Sequence, residues 1–370
     1  LDTAIAYGNS EEILGKCGVS EFDVITKLPI APKNVNSYSS WAQKNLSLSL
    51  ERLNRKKHSS TLDDKLLELL PDKIDDLILI NFYDQWKIDK VLQKVKKVNT
   101  IILDDENHHL YHAASALYLS NFKNATCLVI DGWGTDVRIG DFVGSEVTSI
   151  YNSKLEPLYK NVMHNMRDFK FYDPAKIKTN YDLDISDGIS IGIMYGTVSW
   201  WLGFGRLEGG KTMGLSAYGG PSNLPNFLHK ESVDMNVFTQ NRTFNLKNYP
   251  ELKKDTFKNQ ANIAWSAQQA LEKIFITKME YIKLKTKCKN IVFSGGCALN
   301  ILANSLMKQH YPEYNFFIDP IANDATLSLG AAKYHYYKKT RDTRRESLDN
   351  IYIGPKYMVK ERVLEWIKQN

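Results

Sequence analysis

The feature that most restricts this chain's fold is a set of short apolar runs that each stop abruptly on a polar residue or glycine. They are IDDLILIN (74–81), TIILDD (100–105), ATCLVIDGWG (125–134) and NIVFSGGCALN (290–300). Apolar runs of this length without alternation mark strands buried on both faces, and such sheets are covered by helices. Helical patterns stand between them: VLQKVKKV (91–98), His108 to Tyr118, ISIGIMYGTVSWWLGF (189–204), a run from about Asn262 to Lys283, and the small-residue stretch Asp324 to Tyr337. An α/β chain is expected. Residues 151–187, polar and aromatic with little period, are expected to hold loops or short strands, and RLEGGKTMGLSAYGG (206–220) reads as a glycine-rich connection. No repeat of the solenoid type is visible.

Composition narrows the partners. The net charge is +6, but the lysines are dispersed in segments such as KLKTK (283–287), which read as solvated helix ends, so charge is no argument for nucleic acid. The four cysteines, Cys17, Cys127, Cys288 and Cys297, show no Cys-x-x-Cys spacing, and reduced thiols are expected. No stretch has the roughly 20 apolar residues of a membrane helix, and the opening Leu1-Asp2-Thr3 is not that of a signal peptide. A cytoplasmic protein without membrane partners is expected.

His108, His109 and His112 fall within five residues, where eight histidines spread evenly over the chain would place about 0.1. On a helix, positions four apart share a face, so His108 and His112 can aim at one ion while His109 points elsewhere. Asp131 closes the apolar strand that follows, and a carboxylate there is costly to bury without a cation. Asp324, at the mouth of DATLSLGAAK, is either a helix N-cap or a further ligand. Two imidazoles and two carboxylates suit iron(II), manganese or zinc. Ser294-Gly295-Gly296-Cys297 is a turn whose amides can approach a phosphate, and Glu208-Gly209-Gly210-Lys211 adds a second glycine turn with a lysine. Together they point to a nucleotide site.

These motifs resemble a known family. HHLYHAASALYLSNF, CLVIDGWG, LGFGRLEGGKTMGLSAYG, FSGGCALNILAN and NDATLSLGAA occur in the order seen in O-carbamoyltransferases of the nodulation and of the cephalosporin and aminoglycoside tailoring type, and ERLNRKKH (51–58) is similar to a signature that precedes them. The resemblance implies an actin-like ATPase fold related to the tRNA threonylcarbamoyltransferase, with two subdomains around a nucleotide cleft. It implies that His108, His112, Asp131 and Asp324 hold a divalent metal, iron(II) by family likeness with manganese or zinc as alternatives. Gly209, Gly210, Lys211, Gly295, Gly296 and Asn300 would line the pocket for ATP or carbamoyl adenylate. The implied reaction moves a carbamoyl group from carbamoyl adenylate to a hydroxyl of a small molecule or saccharide, with AMP leaving.

Three departures qualify the likeness. No His-Asp-x-Ser hairpin signature precedes Glu51, Thr326 stands where glycine is usual and is expected to crowd the pocket, and SLDNIYIGPKY (347–357) resembles only the start of the YrdC-like domain that makes the adenylate from carbamoyl phosphate and ATP. Before Glu51, LDTAIAYGNSEEILGK, FDVITKLP and LSLERL resemble the early part of an aldo-keto reductase, with Asp2, Tyr7 and Lys27 matching three of its catalytic residues. The expected organisation is a reductase-like fragment (1–50), a Kae1-like catalytic domain (51–345) and the start of a truncated C-terminal domain (346–370). A transferase is the expected function; an inactive nucleotide-binding relic and a tRNA threonylcarbamoyltransferase are the competing readings.

Overall fold

The computed structural model describes residues 70–80, 85–104, 106–140, 142–164, 177–186, 188–239 and 242–341. The reductase-like segment with Asp2, Tyr7 and Lys27, the ERLNRKKH stretch, Asn81 and the tail from 346 lie outside the described residues. Contacts divide the chain into two units. One comprises Leu1–Asp72, Lys90–Val95 and Tyr352–Asn370; the other, Lys73–Asp89 with Lys96–Ile351, contains the sheets described next.

In chain order the strands are β1 (Lys73–Ile80), β2 (Lys97–Asp104), β3 (Thr126–Ile130), β4 (Asp136–Ile139), β5 (Phe142–Tyr151), β6 (Pro157–His164), β7 (Asp182–Ser186), β8 (Leu228–His229), β9 (Ser232–Val233), β10 (Asn290–Ser294) and β11 (Asn315–Ile318). The helices are α1 (Gln85–Lys94), α2 (His108–Leu119), α3 (Ile191–Trp201), α4 (Gly209–Ser216), α5 (Phe257–Lys285), α6 (Ile301–His310) and α7 (Leu327–Thr340). VLQKVKKV is helical only to Lys94, its last residues opening β2 instead. Residues 151–187 carry the short strands β6 and β7, as expected. The glycine-rich connection is corrected: Gly209 to Ser216 form the helix α4, with both glycines in its first turn. The long helix begins earlier than its apolar period shows, because the Thr256 side chain accepts from the Asn259 amide and caps it.

β1 and β2 pair in parallel, Ile78 opposite Ile102. The main sheet runs β11-β10-β3-β5-β6-β7, with β4 paired to β5. β3, β5 and β6 form an antiparallel meander, and β10 and β11 extend it in parallel beyond β3. A meander continued past its first strand by parallel crossovers, with helices on both faces, is a layered mixed α/β architecture.

Side-chain alternation along β3 then decides what faces what. Leu128 and Ile130 pack with α3 and α5, whereas Cys127 and Val129 pack under α2 with Ala113, Ala116 and Leu117. Val292 of β10 and Phe317 of β11 share that second face. Two residues further on, Asp131, Ser294 and Asp319 continue the same alternation, each at the carboxyl end of its strand. α7 packs directly on α2 through Gly330, where a Cβ would lie 1.9 Å from the Tyr111 carbonyl oxygen.

Gly330→Ala therefore forces two backbones apart, and is expected to cost at least the ~1–3 kcal/mol typical of overpacking. Gly210→Ala, whose Cβ meets nothing within 4 Å, is expected to be neutral or stabilising by up to ~1 kcal/mol. Urea denaturation of the two variants beside the parent protein checks both.

Candidate metal centre

The four residues singled out by type and spacing converge. One ligand-capable atom from each of His108, His112, Asp131 and Asp324 lies within 4.8 Å of the others. His108 Nε2 is 3.2 Å from Asp131 Oδ2 and 3.6 Å from Asp324 Oδ1; His112 Nε2 is 3.8 and 3.6 Å from the same two atoms. Both imidazoles and Asp131 are buried, while the Asp324 side chain is 68% exposed, so the cluster opens on one side only. The choice left between cap and ligand for Asp324 is resolved in part. Asn323, not Asp324, caps the following turn by accepting from the Ala325 amide, leaving the Asp324 carboxylate turned to the histidines.

Burial and charge compete in this cluster. Burial disfavours a charged His108, but hydrogen bonds to Asp131 and Asp324 outweigh it and push its pKa up to about 9. Burial likewise works against ionised Asp131, yet the imidazoles, His108 first, hold it down at about 2. Asp324 is held below the usual carboxylate range by the imidazoles of His108 and His112 that face it. His112 Nε2, by contrast, is buried without a hydrogen bond. An orphaned imidazole nitrogen facing two carboxylate oxygens in a two-nitrogen, two-oxygen donor set fits a divalent cation. His109 does point elsewhere: its Nδ1 is 2.8 Å from Ser149 Oγ, and burial holds it well below its ordinary pKa.

The glycine turns are placed differently from each other. Gly295 has φ +90°, and a Cβ there would lie 2.4 Å from the Ile130 carbonyl oxygen, so the position requires glycine. The Gly296 amide donates to Asp131 Oδ1 at 2.9 Å. Asn300 caps α6, accepting from the Ala303 amide at 3.0 Å, and exchanges hydrogen bonds with the Gln268 amide. A Cβ on Gly209 would touch the Tyr195 ring at 3.4 Å, and the Tyr195 hydroxyl is 3.5 Å from Asn300 Nδ2, so the two glycine segments meet on opposite ends of one tyrosine. Lys211 is half exposed and pairs with Glu208. Thr326 does not crowd the opening: it is fully buried, bonded to Ser115 and Asp319.

Residue type alone missed Asp319. It is 2% exposed, accepts from Ser294 Oγ, Thr326 Oγ1 and the Ile321 amide, and ends the apolar run NFFI as Asp131 ends TCLVI. That shared ending was the available signal. Trp133, two residues past Asp131, is 40% exposed with the Arg242 guanidinium 4.5 Å from its ring centre. Cys297 is buried, which pushes its thiol pKa up and argues against a nucleophilic role.

The sheet topology and the strand-end cluster together define a mixed α/β protein with its candidate site at the carboxyl ends of the strands. A family model described as "Carbamoyltransferase N-terminus" matches residues 28–333, and the chain belongs to that family. The match begins at residue 28, ahead of the start expected at Glu51 and within the stretch for which a reductase likeness was expected and is not shown. The chain is 26% identical over 343 residues to the uncharacterized protein MJ1051 of Methanocaldococcus jannaschii, covering 87% of this chain and 58% of that one. It is 25% identical over 276 residues to nodulation protein NolNO of Sinorhizobium fredii, covering 70% and 36%, and 26% identical over 257 residues to nodulation protein NolO of Bradyrhizobium diazoefficiens, covering 67% and 41%. The chain thus spans well under two thirds of the length of these relatives. Among solved structures there are distant likenesses to the activator of 2-hydroxyisocaproyl-CoA dehydratase from Clostridium difficile (13% identity, 71% of this chain and 85% of that one, TM-score 0.39) and to HypF of T. kodakarensis (12%, 84% and 44%, 0.38). No helix among the described residues is long and apolar enough to cross a membrane.

His108 gives a pH signature for the metal-free protein. Its folded pKa of about 9 exceeds the ordinary 6.5, so the stability it contributes is complete below about pH 6.5 and is lost as pH rises through 9. Melting temperatures in chelator are expected to fall over that window, and His108→Asn is expected to flatten the decline.

Proposed function

We propose that this chain carries the transfer site of a metal-dependent carbamoyltransferase, which moves a carbamoyl group from carbamoyl adenylate to a hydroxyl of a small molecule or saccharide. The observation that carries the reading is the convergence of His108, His112, Asp131 and Asp324, with a buried His112 nitrogen lacking any hydrogen bond. A divalent ion there, iron(II) by family likeness or manganese or zinc, supplies Lewis-acid polarisation of the carbamoyl carbonyl or its phosphate. The remaining work falls to the chain itself.

Asp131 is aimed by the Gly296 amide and by its place at the end of β3. Asp324 forms the exposed side of the cluster, which leaves that side for the adenylate and the incoming hydroxyl. The segments holding Gly209, Gly210 and Lys211 and holding Gly295, Gly296 and Asn300 are our proposed wall for adenosine and phosphate. Gly210 leaves open space beside the first turn of α4, and the Lys211–Glu208 pair is exposed, so it costs little to exchange Glu208 for a phosphate. Trp133, two residues past Asp131 in sequence and 40% exposed, is an aromatic surface suited to stacking against a sugar face. The adenylate itself would come from carbamoyl phosphate and ATP on a YrdC-like domain.

Metal analysis tests the reading. The purified protein is expected to hold stoichiometric iron, manganese or zinc that the His108→Ala, His112→Ala double variant lacks, and to release AMP from supplied carbamoyl adenylate when an acceptor alcohol is present. Equal emptiness of both proteins after metal reconstitution overturns it. Lys211→Ala is expected to raise KM for carbamoyl adenylate by about ten- to a hundredfold, the worth of one charge-assisted hydrogen bond, with metal content unchanged.

A further inference from the structure

We infer that Ser294 and Asp319 act as positioning residues that fix the proton of His112 on Nδ1, and so hold Nε2 ready as a ligand atom, through a hydroxyl relay closed by Thr326 and Ser115. The inference rests on the metal-site reading above and deepens it. His112 Nδ1 lies 3.2 Å from Ser294 Oγ, and Ser294 Oγ donates to Asp319 Oδ2 at 2.9 Å. A hydroxyl has one proton, and a carboxylate only accepts. Once that proton is committed to Asp319, the serine oxygen can only accept from His112. The imidazole must then carry its proton on Nδ1, and the lone pair of the neutral ring falls on Nε2, the buried nitrogen that faces Asp131 and Asp324.

The same accounting continues along the chain of hydroxyls. Asp319 Oδ2 also accepts from Thr326 Oγ1 at 3.1 Å, which uses the threonine's only proton, so the Ser115 hydroxyl donates to Thr326. Ser115 follows His112 by three residues on the same face of α2, and the circuit returns to the helix it left. Asp319 Oδ1 takes the Ile321 amide at 2.9 Å. His112, Ser115, Ser294 and Thr326 are all at 0% exposure and Asp319 at 2%, so no bulk solvent is at hand to replace a missing donor or acceptor. Thr326, the residue that departs from the family's glycine, contributes one of three donors that keep the Asp319 carboxylate in place. Outer groups of this kind characteristically orient metal-binding histidines.

The test reads His112 directly. Long-range ¹⁵N–¹H spectra of metal-free protein labelled at histidine, assigned with His112→Ala, are expected to show the His112 proton on Nδ1. In Asp319→Asn the amide can donate to Ser294, which frees the serine proton for His112, and the Nδ1 signature is expected to be lost. Zinc affinity of Asp319→Asn and of Ser294→Ala is expected to fall by about ten- to a hundredfold, with far-UV circular dichroism unchanged. A wild-type His112 protonated on Nε2 alone overturns the inference without any variant. So do variants that keep both the Nδ1 proton and the parent's zinc affinity. If the wild type binds no zinc, the metal reading fails by itself, and the Nδ1 proton in wild type and its loss in Asp319→Asn still decide the relay.

Discussion

The interaction on which the rest of this structure depends is the burial of two carboxylates, Asp131 and Asp319, at the carboxyl ends of two parallel strands that flank β10 and its Ser294. An isolated carboxylate in that position is destabilising by several kcal/mol. Here each is answered: Asp131 by His108 and the Gly296 amide, Asp319 by two hydroxyls and an amide. The register of β10 against β3, Ser294 opposite Val129, brings the donors to the acceptors. The close crossing of α7 over α2 at Gly330 brings the Asp324 turn to the histidines. Sheet register and helix packing therefore fix the electrostatics of the site.

Much of this was legible in the chain. Apolar runs that end on Asp131 and on Ser294-Gly295 are local signals, and the four-residue spacing of His108 and His112 is a local signal too. What was not legible depends on partners distant in sequence. The cap at Asn323 and the freed carboxylate at Asp324 look identical to their exchange until the α2 histidines are placed opposite. Gly209-Gly210 reads as a turn because two glycines disfavour helix; packing on Tyr195 and the long α5 helix overrides that preference. Asp319 went unread because NFFI is short, although it obeys the same rule as the strand before it.

Membership of the carbamoyltransferase family agrees with a centre assembled from α2, β3 and the Asp324 turn, all within the matched residues 28–333. The two glycine segments and the candidate metal ligands lie far apart in sequence, yet in space Gly296 touches Asp131, and Tyr195 joins Gly209 to Asn300. One arrangement of strand ends thus brings both sets of residues together.

The amide of Gly296 has a consequence of its own. It is a single donor already committed to Asp131 Oδ1, in the very turn whose glycines invite a phosphate. A phosphate claiming that hydrogen would leave the carboxylate un-aimed, so the two uses are antagonistic within one peptide unit. Substitutions in this turn would accordingly be pleiotropic: a variant scored as defective toward nucleotide would first have misdirected a carboxylate, and neither property is free to drift without the other.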